Sequence, residues 1–168
     1  MNDNFDLDSF QINPELVSVQ MEAENAAEVI FELSRVLFES GYVKSSYADA
    51  AIAREEGFPT GLPTKGCGTA IPHADIDHAI KPGIAVGTLK NPVKFGQLGD
   101  ASTQIDVSIV FLLSVTIPSA QVYLLQALVE VYKDEDLLKK LVEAEESSVI
   151  VNQVNLALTQ VKADLKLS

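Results

Sequence analysis

Hydrophobic positions along the chain change period three times. Residues 15–20 alternate Leu16, Val17 and Val19 loosely, which predicts a short strand. Asn25 follows with Glu28 three residues on, the spacing of a helix N-cap and its capping box. Val29, Ile30, Leu33, Val36 and Leu37 then recur at helical intervals, and Gly41 supplies a stop. A second helix is expected after Ser46 as cap, with Ala50, Ile52 and Ala53 facing inward and Arg54-Glu55-Glu56-Gly57 at its end. Pro59, Gly61, Pro63, Gly66 and Gly68 then crowd into one stretch and predict a loop or several turns.

Three short apolar runs come next, at residues 69–71, 83–89 and 105–113, and read as buried strands. Asn91-Pro92 and Gly99-Asp100 predict turns between them. The last third is helical in period. Val122, Leu124, Leu125, Leu128 and Val129 form one run, and Leu137, Leu138, Leu141 and Val142 a second. Residues 149–158 form a third, with Ser148 as its cap. A strand, two helices, a group of strands and then helices predict an α/β fold, a mixed central β-sheet flanked by helices. No repeat or linker divides the chain. A single domain over residues 1–168 is expected, with residues 1–12 as a flexible acidic N-terminus.

Composition narrows the function classes. The chain has 168 residues, 47% hydrophobic and 21% charged, enough for a real core. The longest apolar candidate, residues 107–115, is interrupted by Ser108 and Ser114 and is too short to span a bilayer, so no membrane insertion is expected. The start of the chain carries Asp3, Asp6 and Asp8 where a signal peptide would be basic, which points to the cytoplasm. A net charge of -12 argues against nucleic acid as a partner. The lone Cys67 allows neither an internal disulfide nor a thiolate zinc cage.

The candidate chemistry centres on two histidines, His73 and His78, separated by Ala74-Asp75-Ile76-Asp77. His73 follows a proline at the end of a predicted strand, where α/β proteins tend to build sites. Metal binding by the histidines and flanking aspartates, a structural histidine and a nucleophilic histidine are all compatible with these residues. The spacing is not that of a helical zinc site. A nucleophile that carries phosphate beside Asp75 and Asp77 needs a compensating cation. Arg54 can supply a planar fork of donors for phosphate oxygens, or it can simply pair with Glu55 or Glu56 at the surface. Lys65 and Lys81 are weaker candidates. Gly66-Cys67-Gly68-Thr69 lacks the lysine and spacing of a nucleotide-binding loop, though its backbone could offer donors.

Taken together, Ala53-Arg54-Glu55, Phe58-Pro59-Thr60-Gly61-Leu62 and Ala70-Ile71-Pro72-His73 resemble the hallmark region of the mannitol/fructose class of enzyme IIA, type 2, of the bacterial phosphoenolpyruvate-dependent sugar phosphotransferase system. Ile84-Ala85-Val86, Pro92-Val93-Lys94-Phe95, residues 107–113 and Tyr123-Leu124-Leu125-Gln126-Ala127-Leu128 extend the resemblance from about Leu16 to about Leu158. It implies that His73 accepts a phosphoryl group from phosphorylated HPr and hands it to a cysteine of enzyme IIB, which serves the membrane enzyme IIC. It also implies that Arg54 stabilises the phosphorylated state and that neither metal nor cofactor takes part. Where many members carry a second histidine, this chain has Gln121, which can hydrogen-bond a phosphoryl oxygen but brings no positive charge. The galactitol-type subgroup is nearer, in its Phe-Pro-Thr-Gly turn, a glutamine near Gln121 and a histidine matching His78, an auxiliary group or a loop residue. A regulatory phosphoprotein built on the same domain is the alternative, disfavoured by the lack of a recognisable DNA-binding segment. A metal-dependent hydrolase on His73 and His78 is the remote one. A monomer is expected.

Overall fold

The computed structural model describes Phe10 and residues 12–167. In chain order these form β1 (Val17–Met21), α1 (Ala26–Glu39), α2 (Tyr47–Gly57), β2 (Leu62–Pro63), β3 (Gly68–Ala70), β4 (Gly83–Gln97), β5 (Asp100–Ser114), α3 (Pro118–Tyr132), α4 (Glu135–Glu143) and α5 (Ser147–Leu167). The five strands make one mixed sheet in the order β1-β4-β5-β3-β2. The β1–β4 and β3–β5 pairs are parallel, whereas β4–β5 and β2–β3 are antiparallel. This is the mixed sheet with flanking helices expected from the sequence.

Side chains alternate across the two central strands and bury both faces. Ile109, Phe111 and Leu113 of β5 point into a core shared with α3, α4 and α5. Val110 and Leu112 point the other way, into a core with α1 and α2. Each fully buried Leu or Phe contributes roughly 1.5–3 kcal/mol of transfer free energy, so the two cores fix the sheet firmly between its helix layers. Phe10 and Ile12 are buried in the first of these cores, and the Ile12 backbone exchanges two hydrogen bonds with the Asn155 side chain. Residues 1–9 of the expected flexible segment lie outside the described residues.

Local chemistry accounts for the first helix. The Asn25 side chain accepts the Glu28 backbone N–H at 2.9 Å, and the Glu28 carboxylate reaches back to the Glu24 N–H at 2.8 Å. Gly41, at φ +82°, lets the chain leave α1 through the left-handed region.

Elsewhere the elements depart from expectation. Residues 14–16 form a short 3₁₀ turn, and the strand starts at Val17. Asn91-Pro92 is not a turn. It lies inside the 15-residue β4, at a break in register between Thr88 and Val93. Pro92 has no N–H to donate, and such an irregularity tolerates it. Gly99, at φ +80°, does turn the β4–β5 hairpin. On α2 Tyr47, Ala51 and Glu55 are buried and Ala50 and Ile52 pack half-buried against the core, as expected of those two, whereas Ala53 faces solvent. Ser46 precedes α2 but makes no side-chain cap bond. Val122 and Val129 are exposed on α3, and Ser148 lies inside α5 rather than before it.

Candidate functional site

Three segments meet where β3 runs out. His73 forms an isolated parallel bridge with Leu113 near the end of β5, and the Leu113 N–H donates to the Pro72 carbonyl at 3.2 Å. The histidine is thereby held at the carboxyl edge of the parallel β3–β5 pair, as predicted. The C-terminal turn of α2 brings Arg54 to it.

The imidazole is 7% exposed, and both ring nitrogens are engaged. Nδ1 lies 3.0 Å from the Ile71 carbonyl, an acceptor only, so Nδ1 carries the proton and donates it. Nε2 must then hold a lone pair, and it accepts from Arg54 Nε–H at 3.2 Å. Arg54 Nη1 also lies 3.4 Å from Asp75 Oδ1, and the guanidinium carbon sits 5.7 Å from the centre of the Phe58 ring. Asp75 is largely exposed, so that ion pair adds little stability by itself. The guanidinium is held between an aromatic face, a carboxylate and the histidine. The alternative, a surface pair with Glu55 or Glu56, does not form; the carboxylate beside Arg54 is that of Asp75.

Burial holds the His73 pKa below its ordinary value, and the charge of Arg54 acts in the same direction. The Ile71 hydrogen bond and Asp75 oppose this more weakly. The imidazole is therefore neutral at physiological pH. A neutral imidazole with one nitrogen donating and the other carrying a lone pair beside a cation is suited to take up an anionic group.

Glu55, which sequence reasoning left at the surface, is buried next to this site. One carboxylate oxygen accepts the Thr60 N–H at 2.8 Å and the other the Thr60 hydroxyl at 2.9 Å. The Thr60 hydroxyl oxygen in turn accepts the Ile71 N–H at 3.0 Å. The sequence hints at this only in that both residues fall within the hallmark motifs, five positions apart across the Pro59 turn.

The remaining candidates fall elsewhere. His78 Nδ1 lies 2.8 Å from Ser46 Oγ, so its ring is tied to the start of α2. Among the described residues no group of three or more His, Cys, Asp or Glu could hold a metal ion, and the metal centre considered on His73 and His78 is not built. Gln121 is half-buried in the early turns of α3, which follows β5 at the edge that carries His73. Lys81 lies over the Tyr42 ring, 4.3 Å from its centre, and Lys65 is exposed. The backbone of Cys67 is used in a tight turn with Thr64, accepting from its N–H and hydroxyl. Burial pushes the Cys67 thiol up to about 11, which leaves it unreactive.

Residues 10–156 match the family model of the phosphoenolpyruvate-dependent sugar phosphotransferase system, EIIA 2. The chain belongs to this family of enzyme IIA domains. It is accordingly a phosphotransferase component of a kind that works through a phosphohistidine. The galactitol-specific EIIA component of Escherichia coli K12 is 31% identical over 123 residues, which cover 73% of this chain and 81% of that protein. The transcriptional regulator ManR of Bacillus subtilis is 40% identical over 102 residues, 61% of this chain, which spans only 14% of the regulator's length. Among solved structures, Escherichia coli IIA mannitol matches with a TM-score of 0.72 at 22% identity, over 89% of this chain and 99% of that one. A complex of enzyme IIA with phosphorylated enzyme IIB for mannitol, also from Escherichia coli, matches with a TM-score of 0.71 at 22% identity, over 90% and 99%. At these identities the structures establish the shared fold. Among the described residues no helix is long and apolar enough to cross a membrane.

Proposed function

We propose that the chain is a cytoplasmic phosphocarrier in which His73 Nε2 accepts a phosphoryl group from phosphorylated HPr and delivers it to a cysteine of enzyme IIB. The observation that carries this reading is the placement of Arg54 Nε–H on His73 Nε2 while Nδ1 is committed to the Ile71 carbonyl. Only Nε2 has an electron pair to give. It attacks phosphorus in line, and the bond from phosphorus to the donor breaks as the bond to Nε2 forms. Arg54 swings from the ring nitrogen to the equatorial oxygens, where its fork of donors stabilises the charge. The proton stays on Nδ1, donated to the Ile71 carbonyl, throughout. The reverse displacement transfers the group to the thiolate of the acceptor. Gln121, on the adjacent helix, is a further donor for a phosphoryl oxygen. Likeness to a galactitol-specific component supports galactitol or a related polyol as the sugar served. Likeness to a mannitol IIA–IIB complex supports enzyme IIB as acceptor.

The 40% identity to a segment of a transcriptional regulator favours one second reading, a phosphorylation sensor built on the same site. Intact mass after incubation with phosphoenolpyruvate, enzyme I and HPr tests the first step common to both. One acid-labile phosphoryl increment is expected on wild type and on His78→Ala, and none on His73→Ala. An increment that persists in His73→Ala overturns the assignment. Rapid loss of the increment to purified enzyme IIB marks the carrier, and retention marks the sensor.

A further inference from the structure

We propose that Glu55 and Thr60 are positioning residues for phosphoryl transfer, acting on His73 through the backbone of Ile71; the inference rests on the phosphocarrier reading above. The chain of contacts is continuous. Glu55 accepts both donors of Thr60, the Thr60 hydroxyl oxygen accepts the Ile71 N–H, and the Ile71 carbonyl accepts His73 Nδ1–H. The residue that orients the nucleophile is therefore itself oriented from its other side. Glu55 also follows Arg54 directly on the last turn of α2. The relay thus ties the helix end that supplies the cation to the strand end that supplies the imidazole.

Fold stability alone gives a poor reason for this arrangement. A carboxylate at the C-terminal end of a helix opposes the helix dipole. It is also buried, which lifts its pKa to about 7 even though both Thr60 hydrogen bonds pull the other way. The Thr60 turn is clamped besides. The Gly61 N–H donates to the Gly96 carbonyl at 3.0 Å, and the Leu98 N–H donates to the Gly61 carbonyl at 2.8 Å. A Cβ at Gly61 would stand 2.4 Å from the Gly96 oxygen, and one at Gly96 would stand 2.7 Å from Pro59 Cβ. Only glycines let the β4–β5 hairpin approach so closely. A segment held on both flanks can transmit the position of Glu55 to Ile71 without slack.

The polarity of the relay matters as much as its connectivity. Above about pH 7, where Glu55 is ionised, it is acceptor-only, so there the Thr60 hydroxyl must point its proton at Glu55 and offer its oxygen to Ile71. Glutamine in its place would donate to the Thr60 oxygen and compete with the Ile71 N–H. Valine at Thr60 keeps the shape and removes both bonds, whereas serine keeps the hydroxyl.

The test measures initial rates of phosphorylation by phospho-HPr at about pH 8, where Glu55 is ionised, over a range of concentrations for wild type, Thr60→Val, Thr60→Ser and Glu55→Gln. Long-range ¹H–¹⁵N spectra of His73 in the same proteins read the tautomer and show that each variant is folded. The expected result is a maximal rate lowered roughly 10- to 100-fold in Thr60→Val and Glu55→Gln with KM for phospho-HPr nearly unchanged, and rescue by Thr60→Ser. His73 should lose its single Nδ1–H tautomer in the two impaired variants. Wild-type maximal rates in both of them, or a tautomer unchanged in both, would overturn the proposal. If wild type took up no phosphoryl group, the carrier reading would fail, while the tautomer comparison would still decide the relay.

Discussion

Histidine can carry a phosphoryl group only if one nitrogen is free of protons and faces the donor. At His73 that condition is met by two neighbours of opposite character. A carbonyl accepts the hydrogen bond from Nδ1–H, and a guanidinium marks the lone pair on Nε2. Burial is the main cause of the ring's neutrality and the guanidinium adds to it; in the proposed mechanism the same guanidinium becomes the counter-charge once phosphate arrives. Replacing Arg54 by Lys keeps the charge and loses the planar fork. We expect Arg54→Lys to slow phosphorylation on the order of 10- to 100-fold, measured as the initial rate with phospho-HPr; an unchanged rate would show that charge alone suffices. Arg54 and His73 stand out in the sequence because their side chains, a cation and a nucleophile, suit phosphoryl chemistry within the motifs that also hold Glu55 and Thr60. The roles of Glu55 and Thr60 do not. Their hydrogen bonds close across a helix end and a turn, and nothing in residue type separates a buried glutamate there from a solvated one.

At the scale of elements, the site depends on the breaker-rich stretch between α2 and β3. Its length and glycine content read as a loop, but the structure gives it two constrained contacts. Leu62–Pro63 pairs antiparallel with β3 as a two-residue edge strand, and Gly61 bridges to Gln97 in the hairpin. Neither is legible from local pattern, because two residues have no period and the partners are distant in sequence. The same limit explains Asn91-Pro92, where turn chemistry is overridden by pairing with β5 on both sides of the irregularity. Periodicity succeeded where a helix buries a broad stripe, as in α1, and where strands are covered on both faces, as in β5. Gly61→Ala tests the clamp. The added methyl meets a backbone oxygen that cannot rotate away, so a loss of roughly 1–3 kcal/mol is expected in urea unfolding. A stability unchanged from wild type would mean that the hairpin yields easily.

Over the whole molecule, two cores on opposite faces of one sheet hold the site at a single edge, while the surface carries a net charge of -12. Two buried groups at that edge couple its chemistry to the stability of the fold. Glu55 is lifted from 4.5 to about 7, so between those values the folded state keeps a proton that the unfolded chain has lost. Its contribution makes stability fall as pH rises through that window. His73, held below 6.5, acts in the opposite sense, because the unfolded chain takes up a proton that the folded state refuses. Glu55→Gln removes the first contribution. Its stability relative to wild type should therefore improve between about pH 5 and about pH 8 in paired urea titrations, and a difference independent of pH would contradict the buried, proton-retaining carboxyl. The most direct test of the central claim is the position of the phosphoryl group in the ¹⁵N-histidine-labelled protein, read by NMR after phosphorylation through enzyme I and HPr. The account predicts a single phosphorylated species, on His73 at Nε2, with Nδ1 still protonated. A phosphoryl group on Nδ1 of His73, or on His78, would contradict it.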